Sequence, residues 1–170
     1  MNIEIRKENP FDIPAIYEVN RRAFGQPSEA ELVNSLRNAN ALTLSLVAFL
    51  DNQIVGHIAF SPVTIENSQL KFQAIGLAPM AVLPEHQKWG IGTKLVQEGL
   101  KQLSEAGHKI VVVVGHPEYY PRFGFVKASD FGIKWEHECY DEAFMVKGLL
   151  SGILDKVSGT VRFRPEFERF

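Results

Sequence analysis

Gln87-Lys88-Trp89-Gly90-Ile91-Gly92 lies between an apolar run that ends near Val82 and an amphipathic pattern that opens near Gly90. A glycine-rich turn that starts a helix presents several backbone N–H groups with no intrahelical acceptor. The helix dipole adds partial positive charge at the same place. Phosphate and pyrophosphate oxygens suit such a turn. Two familiar phosphate patterns fail on spacing. The dinucleotide fingerprint needs a small residue where Leu95 stands, glycines directly after the strand, and an acid about 20 residues further on. Here seven residues separate Val82 from Gly90, and the apolar run Ile110 to Val114 fills the later position. The pattern Gly-x-x-x-x-Gly-Lys-Ser/Thr is absent, and Gly92-Thr93-Lys94 only echoes it. A glycine turn that merely fits a tight loop is the plain alternative.

Other reactive residue types carry less. His137-Glu138-Cys139-Tyr140-Asp141 shares two residues with the His-Glu-x-x-His zinc pattern, but Asp141 replaces the second histidine, so no metal is expected. Cys139 near His137 would share a face with it on a strand, yet nothing supplies an oxyanion hole. A partly buried, unreactive thiol is the expectation. Glu136, Glu138, Asp141 and Glu142 could attract a cationic amine, though a solvated loop is the simpler reading. The basic, aromatic run from Arg162 to Phe170 could dock on a partner subunit or cover a core edge.

The elements that must position these residues can be read from periodicity. Asn2 to Arg6 reads as a strand. Asp12 to Phe24 reads as a helix, with Pro14 in its first turn. Ser28 is expected to cap a second helix through a capping box with Glu31. Thr43 to Leu50 and Ile54 to Val63 form a hairpin around Asp51-Asn52-Gln53. Leu70 to Val82 follows, interrupted by Pro79, which predicts a bulge near Pro79 and Met80. Gly90 to Ala106 is a helix ended by Gly107. Lys109 to Val114 reads as a strand buried on both faces with parallel neighbours. A short helix near Tyr119 to Phe123, strands at Phe125 to Ala128 and Ala143 to Lys147, and a helical turn within 149–156 complete the chain. The class is α/β, with an antiparallel meander first and a parallel crossover later.

Composition bounds the function. The 170 residues suffice for one domain spanning 1–170 with a sizeable core. Apolar and charged fractions of 45% and 22% are those of a globular protein. A net charge of −2, from 18 basic and 20 acidic residues, gives no electrostatic reason to expect nucleic acid or a membrane surface as partner. The single cysteine excludes an intrachain disulfide and suits a reducing compartment such as the cytoplasm. The first residues, Met1-Asn2-Ile3-Glu4-Ile5-Arg6, alternate and carry charge, unlike a signal peptide. No apolar run approaches the roughly 20 residues that span a bilayer.

The wider pattern around the glycine turn adds a resemblance. Met80 to Thr93 resembles the signature of the GNAT superfamily of acyl-CoA-dependent N-acyltransferases, with Gln87, Gly90 and Gly92 on its fixed positions. Tyr120-Pro121-Arg122-Phe123-Gly124-Phe125 is similar to that family's Tyr-x-x-x-Gly-Phe, one strand further on. The run Gly115 to Phe125, with Ala143-Phe144-Met145-Val146, resembles one bacterial branch of predicted N-acetyltransferases. This resemblance implies a mixed, mostly antiparallel sheet with a parallel pair splayed at a bulge and flanked by helices. It implies acetyl-CoA as acyl donor, no metal, and an amine acceptor of unknown identity. Backbone amides of Lys88, Trp89, Gly90, Ile91, Gly92 and Thr93, with Gln87, would hold the pyrophosphate. Exposed backbone of Met80, Ala81 and Val82 would pair with the pantetheine arm.

The same resemblance makes Tyr120 the acid that protonates the departing thiolate, a task a phenol suits at neutral pH. Tyr119 is its neighbour and a one-residue shift would exchange them. For the base, His116 at the end of the buried strand and Glu118 both qualify. The family often has asparagine at position 116, and a His-Pro turn bonded to backbone is an equal reading. The acceptor pocket is expected from the first two helices, the hairpin tips and residues 129–142. A non-catalytic acyl-CoA sensor is the other class of function, and the chain could work alone or as a homodimer.

Overall fold

Asp51 and Asn52 both take positive φ, 50° and 62°. This is the geometry that closes a two-residue hairpin without splaying its strands. They join β2 (Leu44–Leu50) to β3 (Gln53–Glu66), with Leu50 opposite Gln53. At the far end of β3 the Asn67 side chain accepts hydrogen bonds from the amides of Gln69 and Leu70, both at 2.9 Å, and turns the chain into β4 (Lys71–Val82). The structure, a computed structural model, describes residues 2–169.

The remaining elements are β1 (Glu4–Lys7), α1 (Ile13–Phe24), α2 (Ser28–Asn38), α3 (Ile91–Glu105), β5 (Ile110–Val114), β6 (Val126–Lys127), β7 (Ile133–Trp135), β8 (Phe144–Gly148) and β9 (Gly159–Arg162). Among the described residues nine strands form one sheet in the order β1-β2-β3-β4-β5-β8-β6, with β9 on β3 and β7 on β9. β1 with β2, β2 with β3, β3 with β9, β5 with β8 and β6 with β8 pair antiparallel, whereas β4 with β5 and β7 with β9 pair parallel. The chain packs as two compact units. One holds the chain up to Ser61, Ala78–Gln102 and the stretch from Pro165. The other holds Pro62–Leu77 and Leu103–Arg164. β3 and β4 pass from one unit into the other, so neither unit is a continuous piece of chain.

In the first unit α3 lies against β3 because glycine makes room on both elements. A Cβ on Gly56 would stand 3.0 Å from Ile91 and 3.1 Å from Leu95. A Cβ on Gly99 would stand 2.5 Å from two carbons of the Phe60 ring, which is fully buried. Gly99→Val should therefore destabilise the protein by about 1–3 kcal/mol, the usual penalty of overpacking, although glycine is a poor helix former. Thermal unfolding checks the sign. Leu32, Leu36 and Ala41 form a separate cluster with Leu42 and Phe167.

In the second unit Ile65, Val112, Ile133, Val146 and Val161 form the core, with Phe72, Trp135 and Phe163 packed on it. The buried strand β5 has one parallel neighbour, β4, and one antiparallel neighbour, β8, rather than two parallel ones. The β4–β5 ladder covers Ile75 with Val111 and Gly76 with Val112, while β4 itself continues to Val82. The Ala78–Pro79 peptide is cis.

Two local expectations change and one open alternative is met. Ser28 is the first residue of α2 and not its cap; Pro27 precedes it in helical conformation with no side-chain cap bond. The reciprocal box forms instead around Pro10–Asp12, where Asn9 accepts from the Phe11 amide and the Asn9 amide donates to Asp12 at 2.7 Å. Cys139 and His137 lie in irregular chain and not on a strand, and Cys139 is exposed. The run from Arg162 covers core edges: Phe163 and Phe167 each enter a cluster, and Phe170 lies outside the described residues.

Candidate functional site

The glycine turn is held by its own strand. The Leu83 amide reaches back to the Val55 carbonyl at 2.9 Å, and the Gln87 side-chain amide donates to the Val82 carbonyl at 3.0 Å. Between them Pro84–His86 make one turn of 3-10 helix. Gln87 therefore folds the turn onto the end of β4. Lys88 and Gly90 both take left-handed backbone, φ 69° and 83°. Such reversals aim successive amides into one concavity. The first ladder bond of α3 runs from the Lys94 amide to the Gly90 carbonyl at 3.1 Å. The amides of Ile91, Gly92 and Thr93 thus precede the ladder. Buried Ile91 pins this start against β3. No acidic residue stands in the first turn of α3. The acid before the turn, Glu85, is paired with Arg22 of α1 at 2.9 Å.

On β4, Ala81 and Val82 are buried and Met80 is half-buried. Backbone groups of successive strand residues point to opposite edges. Since the Leu83 amide faces β3, the Val82 amide faces the other edge, where the β5 ladder stops at Gly76.

His116 and Tyr120 belong to the second unit. Gly115 follows β5 and its amide donates to the Ala143 carbonyl at 2.9 Å. The His116 carbonyl then accepts from the amides of Tyr119 at 3.1 Å and Tyr120 at 3.3 Å. This turn brings the Tyr120 ring back over Gly115, where a Cβ would collide with the ring. Phe125 meets the same ring at 5.6 Å and Tyr119 at 5.1 Å. Tyr120 is 7% exposed. Burial, with a smaller push from Tyr119, raises its phenol above the ordinary value, so it keeps its proton across the neutral range. Tyr119 is half-buried and carries the Arg122 guanidinium over its face at 4.5 Å. The His116 and Glu118 side chains are exposed. The Cys139 thiol is raised by burial and by Asp141, which suits an unreactive group.

The model of the acetyltransferase (GNAT) domain matches residues 4–128. The chain belongs to the GNAT acetyltransferase family. Among its GNAT relatives, the uncharacterized N-acetyltransferase YhbS of Escherichia coli K12 is 40% identical over 167 residues, 98% of this chain and 99% of that protein. The structure of the Escherichia coli GNAT family N-acetyltransferase YhbS in complex with CoA superposes with a TM-score of 0.94 at 38% identity, covering 100% of this chain and 94% of that one. A GNAT family acetyltransferase from Brucella melitensis in complex with acetyl-CoA gives 0.80 at 39% identity, covering 98% of both. The GNAT fold expected from the two motifs, a mostly antiparallel sheet with helices around it, is the fold observed.

One polar assembly in this GNAT chain has no counterpart in the sequence reading. Asn20 Nδ2 donates to the Ile16 carbonyl at 3.0 Å and meets His57 Nδ1 at 3.1 Å. His57 Nδ1 must then accept, which puts its proton on Nε2, 2.8 Å from Ser45 Oγ. The Ser45 hydroxyl in turn donates to Glu8. Arg37 clamps Glu8 with two bonds of 2.8 and 3.0 Å. Burial would raise the Glu8 carboxyl, but the Arg37 and Ser45 hydrogen bonds outweigh it and hold it below the usual range. His57 is fully buried. Its burial lowers the imidazole to about 4, against the pull of Glu8 and with the help of Arg37. A lone histidine inside the apolar run Ile54 to Phe60 was the available signal, but its partners lie at positions 8, 20 and 45 with no shared spacing.

Proposed function

We propose that this protein transfers the acetyl group of acetyl-CoA to a primary amine of a small molecule or a peptide. The observation that carries the reading is the amide-lined turn Lys88 to Thr93, strapped by Gln87 to the end of β4, in a chain matching an acetyl-CoA-bound relative over 98% of its length. In this reading the pyrophosphate sits on the turn amides. The pantetheine lies along Met80, Ala81 and Val82 as an added strand. Gln87 acts as the strap, since its side chain is engaged with Val82.

The neutral amine attacks the thioester carbonyl, and a backbone N–H at Val82 stabilises the charge on its oxygen. The C–S bond breaks and the sulfur takes the Tyr120 proton. The proton shed by the amine goes to a base, for which exposed His116 is the first candidate and Glu118 the second. The acceptor is unassigned. A cytoplasmic setting fits the single cysteine, and among the described residues no helix is long and apolar enough to cross a membrane.

Acetyl-CoA at about a hundred times its Kd should stabilise the protein by about 2.7 kcal/mol and raise Tm by roughly 5–10 °C. No shift at saturation would remove the coenzyme A reading altogether. A shift without free-thiol release across a panel of amines and N-terminal peptides would identify an acyl-CoA sensor instead. Thiol release with one acceptor class would name the substrate.

A further inference from the structure

We infer that the Trp89 indole is the platform on which the adenine ring of coenzyme A stacks. The inference rests on the coenzyme A reading above and adds a side-chain role to a turn that so far contributes only amides. Trp89 is 53% exposed, unusual for so large an apolar side chain. Its place in the turn explains why it cannot withdraw. Lys88 and Gly90 on either side are both left-handed, so the chain reverses before and after it. The apolar face of α3 begins one residue beyond Gly90, at Ile91, which is buried. Trp89 therefore projects from the apex of the turn rather than joining the core.

The indole is also held. The His86 ring meets it edge-to-face, with centroids 5.2 Å apart and planes at 87°. Whichever ring supplies the edge, His86 covers at most one indole face, and about half of the residue is open to solvent. A fixed, solvent-facing π-surface next to amides that take phosphate is the arrangement that receives a nucleobase. The ribose of coenzyme A separates its pyrophosphate from adenine by one sugar, within the reach of a tryptophan side chain anchored beside the phosphate site. Base–aromatic stacking tolerates any base, so the platform distinguishes ligands with a nucleoside from those without one.

Calorimetric titration of wild type, Trp89→Ala and Trp89→Phe with CoA and with 4′-phosphopantetheine tests this. Trp89→Ala should weaken CoA about tenfold, Trp89→Phe should keep most of the affinity, and phosphopantetheine should bind all three alike. Binding of CoA should quench a part of the tryptophan fluorescence that disappears in Trp89→Ala. An unchanged CoA affinity in Trp89→Ala overturns the stacking role and leaves the coenzyme A reading intact. Equal losses for both ligands overturn it too, because they would mark Trp89 as shaping the turn. Wild-type protein that binds no CoA would remove the reading itself.

Discussion

Tyr120→Phe should lower kcat by about a hundredfold or more, within the range general acids contribute, and leave the Kd for acetyl-CoA unchanged. The substitution keeps the ring that rests on Gly115 and Phe125 and removes only the proton donor. Tyr119→Phe should stay within about twofold of wild type, which separates the two neighbouring phenols. Because burial raises the Tyr120 pKa, the alkaline limb of the wild-type kcat profile should lie above the ordinary phenol range. Gly115→Ala should also lower kcat, since its Cβ would push the Tyr120 ring and the hydroxyl it carries off their seat while leaving the phenol in place chemically. Full activity of Tyr120→Phe at every pH would end the acid assignment.

Acidification from pH 6.5 to 4 should cost the protein about 3 kcal/mol through His57 alone, or roughly 6–12 °C in Tm. The sign follows from the protons bound. In this window an unfolded chain carries a protonated histidine, whereas the folded one keeps His57 neutral until about pH 4. The unfolded state binds more protons, so stability rises with pH across the window and is lost as pH falls. The Glu8 carboxyl is depressed and adds a second loss at lower pH, as it is protonated below the usual carboxylate range. His57→Gln should lower stability at pH 7, where it disturbs the Asn20 and Ser45 bonds, yet flatten the slope between pH 6.5 and 4. Thermal denaturation of both proteins across this range measures the difference. An equal slope in the two would place the titrating group elsewhere.

The parts of the molecule that sequence conveyed are those whose physics is local. Gly90 and Gly107 bracket α3 by spacing, Asp51-Asn52-Gln53 mark a hairpin turn that closes on Asp51 and Asn52 alone, and the run Ile110 to Val114 declares a buried strand. The parts it concealed depend on distant partners. β7 and β9 are three and four residues long and become strands by pairing with each other and with β3 across more than twenty positions. Ser28 has the right neighbours for a capping box, but Pro27 already takes helical angles and leaves it no capping position. For the proposed site, the turn amides and Tyr120 can be put forward from sequence because two short motifs carry the resemblance. The role of Gln87 as a strap depends on a bond to Val82, and the His57 assembly on four elements, so neither has a pattern to read.

Phe163 sits over Gly76 in the core of the second unit, and Phe167 packs on the separate cluster of Leu32, Leu36 and Ala41 in the first. Their consequence appears during synthesis. The strands and helices they pack against are made long before them, so a nascent chain would hold these two clusters without their aromatic cover until residues 163–167 leave the ribosome. Exposed apolar surface of this kind is what chaperones and aggregation compete for. A chain stalled before position 163 would carry nearly all of the described secondary structure without the two aromatic rings that pack on these clusters.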